Sequence, residues 1–298
     1  MLINDLIQFA QDAIRTPSVT GTEKAFIARV CQEMQKLGFD RTWVDQAGNA
    51  IGEIRGKRNG KNILLDAHAD TVSANPVDWK YDPFGGSIHN NRLYGRGAAD
   101  TKGNLAAMIY AAANVNRNTI SGNIYVSASV HEELFEGGSL KSIIEETNPQ
   151  YVVIGEATQL NLNRGGRGRA EIVVETIGKS AHSSSPHVGS CAVHAMLHLI
   201  EIIESQPHKT HPALGYGSMV LTDIISSPYP GHSVLPNRCR VTFDRRLLLD
   251  ECIASLEKEL DELVKSAGMD ATITLLEAEE ETYTGYKLQG KKFFPAWL

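Results

Sequence analysis

Apolar positions recur at helical spacing twice before residue 40. Leu2, Leu6, Phe9, Ala13 and Ile14 share one face of a first predicted helix. Thr20-Gly-Thr-Glu23 reads as a capping box, and Phe26, Val30, Met34 and Leu37 follow on one face until Gly38 ends the second helix. The pattern then shortens into strand-like runs: RTWVDQ, NAIGEIRG and NILLDAHA. A helix from about Gly103 to Asn116, rich in small residues, precedes two more apolar strands, NIYVSASV and YVVIGEA. Strands alternating with helices up to about residue 163 predict an α/β layer around a largely parallel sheet.

Beyond that point the rhythm changes. RAEIVVETIG alternates like a half-buried strand and is followed by a helix (SCAVHAMLHLIEIIESQ). Strands SMVLTDIIS and RCRVTFDRRLL come next, then a helix (ECIASLEKELDELVKSAG) and a strand (DATITLLEA). The order β-α-β-β-α-β predicts a ferredoxin-like α+β domain over about 168 to 280, inserted or appended.

Composition narrows the class. The 298 residues are 42% apolar and 21% charged, with a net charge of −6. No basic face for nucleic acid is expected, and the short NRGGRGRAE stretch reads as a turn entering a strand. No apolar run reaches 18 residues, so no membrane span is expected. The N-terminus lacks the basic start of a signal peptide. Cys31, Cys191, Cys239 and Cys252 form no C-x-x-C pair and read as free thiols of a reducing cytoplasm.

The candidate chemistry lies at strand ends. His68 and Asp70 close LLDAHAD; two apart on a strand they share a face, so Asp70 can accept the second ring N–H of a metal-bound His68. Asp100 lies in YGRGAADTKGN, where a helix begins. Glu132 and Glu133 end the next strand, and Glu156 the one after. Taken singly, each has a plain structural explanation: a satisfied histidine, a helix N-cap, a turn-capping acid. Together, four successive elements end in a potential metal ligand, where open α/β sheets place ligands. Acids gathered there repel one another and call for a cation, and one His among carboxylates suits Zn²⁺, Mn²⁺ or Co²⁺. With one paired glutamate on metal, its neighbour is free to act as general base. HEELF is not a zincin helix, the order of a Walker A loop is absent, and no G-x-S-x-G elbow supports a serine hydrolase.

HADTV, YGRGAADTKGN, HEE, GEAT and GKSAHSSSPHVGSCAV, in this order, resemble the M20 metallopeptidase family. That group includes acetylornithine deacetylase, succinyl-diaminopimelate desuccinylase, aminoacylase and carboxypeptidase G-type enzymes. The ending TYTGYKLQGKKFFPAWL is most similar to its selenium-metabolism hydrolase subgroup. The resemblance implies a zinc-peptidase-like α/β/α catalytic domain with an inserted lid and dimerisation domain. The expected division is 1–167 catalytic, 168–282 lid, and 283–298 the start of a returning catalytic segment. It implies two zinc ions: His68 and Glu156 on one, Asp100 bridging, Glu133 on the other. Glu132 is then the general base and Asp70 orients His68. The lid's His182 is implied to reach into the partner subunit's site of a homodimer and stabilise the oxyanion. Asn237 and Arg246 fall where the lid contacts the substrate carboxylate.

The chain ends about where the family's returning stretch, with its last metal-binding histidine, is expected to begin. A truncated catalytic domain is therefore expected. Two functions follow from the sequence: a hydrolase of small N-acyl amino acids or short peptides bearing a free carboxylate, or an inactive metal-binding, dimerising module.

Overall fold

A computed structural model describes residues 3–298, so Leu2 of the predicted first helix lies outside the described residues. α1 (Ile3–Ile14) buries Phe9, Ala13 and Ile14 on one face. α2 (Lys24–Lys36) buries Phe26, Ile27, Val30 and Met34, spaced three and four apart as a single apolar stripe requires. Gly38 follows it with a φ of 78°, a conformation glycine adopts without steric cost.

β1 (Arg41–Val44) and β2 (Ala50–Arg55) form a hairpin. β3 (Ile63–His68) comes next, then a short hairpin, β4 (Ser87–His89) and β5 (Arg92–Tyr94). α3 (Lys102–Ala113), β6 (Asn123–Ser129), α4 (Leu140–Thr147) and β7 (Tyr151–Ile154) complete the series. The sheet order is β1-β2-β6-β3-β7. β6, β3 and β7 run parallel, whereas β1 and β2 are antiparallel additions at one edge. The expectation of a largely parallel sheet is corrected to a mixed one. Only about five residues separate β1 from β2, too few for the crossover that parallel strands need. Its core joins Phe26, Met34, Ala67, Leu105, Ile109 and Val126.

β7 is unusual for an apolar edge strand. Tyr151, Val152, Val153 and Ile154 are 54%, 43%, 39% and 52% exposed, so neither face is covered.

The second part starts with β8 (Gly168–Ile177) and α5 (Ala192–Glu204). A two-residue hairpin, β9 (Thr210–His211) and β10 (Gly215–Tyr216), precedes β11 (Met219–Ser227). β12 (Arg238–Leu247), α6 (Ile253–Ala267) and β13 (Ala271–Leu275) follow. The antiparallel order β11-β12-β8-β13 is that of a ferredoxin-like unit. Met196, Leu199 and Ile203 of α5 and Leu256, Leu260 and Val264 of α6 are buried over it, joining Ile172, Val174, Val241 and Phe243 in one core.

β14 (Glu277–Glu281), β15 (Lys287–Lys291) and β16 (Phe293–Phe294) close the chain. Two compact units result. One holds the chain up to Asn161 with Glu279–Gln289; the other holds Leu162–Ala278 with Gly290–Leu298. The expected boundaries thus shift: only 279–289 return to the first unit. The last residues stay with the second because β16 pairs with β8 and Trp297 bridges to Gly166. No described helix is long and apolar enough to cross a membrane.

Candidate metal centre

The parallel strands deliver the candidate ligands to one edge. His68, the last residue of β3, lies opposite Ser129, the last of β6, which runs straight on into His131, Glu132 and Glu133. β7 pairs Ile154 with Asp66, so Glu156 emerges at the same edge. Asp100 arrives just ahead of α3.

His68 is 3% exposed, and its Nδ1 lies 2.9 Å from the backbone carbonyl of Asp70. A carbonyl can only accept, so Nδ1 carries a proton and Nε2 is turned to the acids. Nε2 is 2.8 Å from Asp100 Oδ1, 3.9 Å from Glu156 Oε1 and 4.0 Å from Glu132 Oε2. One ligand atom each from His68, Asp100 and Glu133 lie within 4.8 Å of one another.

The electrostatics favour a cation here. Burial pushes the Glu132 carboxyl up to about 7, with the negative charges of Asp70 and Glu156 adding to the rise. Burial likewise raises Glu133 and Glu156, again with neighbouring acids contributing. His68 moves with them: burial alone lowers it, but the carboxylates of Asp100, Asp70 and Glu132 outweigh burial and push it up to about 11. Asp100 is held below the usual range by its hydrogen bond to His68. One imidazole nitrogen with carboxylate oxygens is a donor set that fits a divalent metal such as zinc, manganese or cobalt.

Residues 64–285 match the family described as Peptidase family M20/M25/M40. The chain belongs to this family. The uncharacterized protein YgeY of Escherichia coli strain K12 is 30% identical over 98% of this chain and 74% of its own length. Acetylornithine deacetylase of Aliivibrio salmonicida is 29% identical over 89% of this chain and 74% of its own. The M20 family metallo-carboxypeptidase Sso-CP2 of Sulfolobus solfataricus shares the fold, with a TM-score of 0.72 at 18% identity over 91% of this chain and 77% of that one. The chain is thus a member of a family of metal-dependent hydrolases.

Asp70 of this M20 chain does more than the sequence implied, and partly something else. The His68 ring N–H goes to its carbonyl, while its carboxylate stands 3.6 Å from Nδ1. That carboxylate accepts the backbone N–H groups of Glu132 and Glu133 at 3.1 Å each, and the Thr20 hydroxyl at 2.8 Å. His131, at a φ of 64°, turns the chain so that successive N–H groups converge on one anion. Although burial raises the Asp70 carboxyl, these bonds and His68 hold it below the usual range.

The predicted capping box is also corrected. Glu23 is itself the N-cap of α2 and makes no side-chain cap bond. Its Oε1 accepts the N–H groups of Gly21 at 3.0 Å and His131 at 3.3 Å, while Thr20 serves Asp70. A buried carboxylate with no water needs donors more than a helix end does. Asn49, fully buried, accepts the Val130 N–H at 2.9 Å and donates to the Ser139 carbonyl at 3.1 Å, bracing the same loop. Buried Lys102 donates to the carbonyls of Ala13 at 3.0 Å and Thr16 at 2.7 Å, with its ammonium over the Phe26 ring. The N-cap of α3 is Thr101, so Asp100 is released from the capping role that was its simplest explanation.

Sequence reasoning missed Glu23, Asn49 and Lys102. The polar Asn49 directly before β2 and the Lys102 beside Asp100 were the available signals.

His182, Asn237 and Arg246 lie on the second unit. Ser184 donates its N–H to His182 Nδ1 at 3.2 Å, which leaves the ring proton on Nε2. Arg246 pairs with Asp244 at 3.0 Å. Arg245, the other arginine of DRR, is tied up with Glu251 and with Glu259 at 2.8 Å. Asn237 precedes β12 and Arg246 nearly ends it, roughly 30 Å apart at strand rise. The two thus stand at opposite ends of one strand.

Proposed function

We propose that the chain hydrolyses the amide bond of a small N-acyl amino acid or short peptide with a free carboxylate. The observation that carries this reading is the His68, Asp100 and Glu133 cluster with Glu132 beside it. In this reading the first unit is the catalytic domain and the second the lid. His68, Asp100, Glu133 and Glu156 would hold the metal, and the family resemblance implies two zinc ions. Bound there, such a metal supplies Lewis acidity, lowering the pKa of a water and polarising a carbonyl.

The proton chemistry belongs to Glu132. Beside the cluster and not part of it, Glu132 takes a proton from the attacking water and returns it to the leaving amine. Its side chain is one-third exposed, so water reaches it. The partner's His182, with its proton on Nε2, would donate a hydrogen bond to the oxyanion. Asn237 is the better candidate for the substrate carboxylate. It sits at the His182 end of the second unit, where Ser183 pairs with Ser233 and Gly178 with Asn237 through the backbone.

A homodimer through the second unit is supported by β11, an edge strand with Val220, Ile224 and Ile225 about half exposed. Four free thiols support a cytoplasmic location.

The test is zinc content per chain after dialysis against metal-free buffer, followed by hydrolysis of a panel of N-acetyl and N-succinyl amino acids and dipeptides. Retained zinc with metal-dependent amine release is expected. A folded chain that keeps no zinc and releases no amine would overturn the proposal.

A further inference from the structure

The turn that bears Glu132 and Glu133 starts at His131, and the surroundings of that ring call for an explanation. It is 3% exposed, and neither ring nitrogen has a hydrogen-bond partner among the described residues. Buried polar groups are normally paired. A left-handed position at a strand end is met at lower cost by Gly or Asn. Nε2 instead lies 3.5 Å from Glu280 Oε2, at ion-pair distance.

Glu280 is well anchored. It belongs to β14, within the Glu279–Gln289 stretch of the first unit. In that stretch the Tyr283 hydroxyl donates to the Gly48 carbonyl and the Thr284 hydroxyl to the Gln46 carbonyl, both at 2.9 Å. The His131 backbone N–H is held by Glu23, whose own Oε2 is buried without a partner. Backbone and ring of one residue are therefore gripped by two acids from distant parts of the chain. A rotation at His131 would swing the next two N–H groups off Asp70 and both glutamates away from His68.

We propose that His131 and Glu280 are positioning residues of the metal centre. The ring, braced by Glu280, sets the turn that aims Glu132 and Glu133, and the 279–289 hairpin is a working part of the site. The inference rests on the hydrolytic reading above.

Three variants test it: His131→Asn, Glu280→Gln and the double substitution. Asn tolerates the left-handed backbone, so it removes the ring and keeps the turn. Zinc affinity is measured by competition with a chromogenic chelator, and ligand geometry by the visible spectrum of the Co²⁺-loaded protein. Circular dichroism and the melting temperature of the metal-free chain monitor the fold. Each single variant is expected to bind zinc roughly 10- to 100-fold more weakly, with an altered Co²⁺ spectrum. The double variant should be no worse than the weaker single, because the pair acts as a unit. Wild-type affinity and spectrum in both singles, or additive losses in the double, would overturn the inference while leaving the hydrolytic reading intact. A wild-type chain without zinc affinity would overturn both. If His131→Asn does not fold, Glu280→Gln, at a partly exposed carboxylate, decides alone.

Discussion

Asp70 Oδ1 accepts the backbone N–H of Glu132 at 3.1 Å, tying the end of β3 to the proposed general base. Its other oxygen does the same for Glu133. One buried carboxylate thus sets both glutamates relative to His68. Asp70→Asn puts an amide N–H against a backbone N–H. We expect a loss of about 2–3 kcal/mol in unfolding free energy by denaturant titration. Zinc affinity should fall alongside it, because the turn loses its anchor. Wild-type stability would show that the nest does not need the charge.

Glu132→Gln separates metal binding from proton transfer. The side chain keeps its size and loses its basicity. Zinc content should stay at the wild-type level while kcat drops roughly 10²- to 10⁴-fold. Retained turnover would remove Glu132 from the mechanism.

The acid cluster predicts stabilisation by metal. A ligand that binds only the folded state adds about 2.7 kcal/mol at 100 times its Kd. The melting temperature should therefore rise with zinc and fall back with chelator. In His68→Asn, which removes the buried nitrogen facing Asp100, the response should shrink or vanish.

Lys102 predicts an unusual pH dependence. Burial pushes its ammonium down to about 7, against a weaker opposing pull from Asp70. Between about pH 7 and 10.4 the unfolded chain holds a proton that the folded chain does not, so stability rises with pH across that window. Below about pH 7 both states hold the proton and this contribution is absent. Denaturant titration with chelator present should show unfolding free energy increasing from pH 7 to about pH 9.5. The slope is about 1.4 kcal/mol per unit at most. Lys102→Met should flatten this rise; an unchanged slope would assign it to another group.

Much of the candidate metal cluster was readable before the fold was seen, because three of its four members follow apolar segments. His68 follows ILLDA, Glu133 follows NIYVSAS, and Glu156 follows YVVI. The bracing groups were not readable. Glu23 lies 108 residues from His131 and Asn49 lies 81 from Val130, and no periodicity links positions so far apart. Thr20 and Glu23 even spelled a plausible local motif, which burial of Asp70 and His131 overrode. The β14 strand escaped notice because EAEEE has no apolar alternation.

By itself the sequence determined the order of elements, the ferredoxin-like topology of the second unit, and the edge at which the chemistry gathers. These follow from local spacing, which hydrophobic burial turns into helices and strands. Only the tertiary structure decided which oxygen of Asp70 meets which N–H, that Glu23 serves a distant turn, and that the final residues pair with β8. Those choices come from buried polar groups seeking partners wherever the packed chain brings them, and that competition is settled in three dimensions.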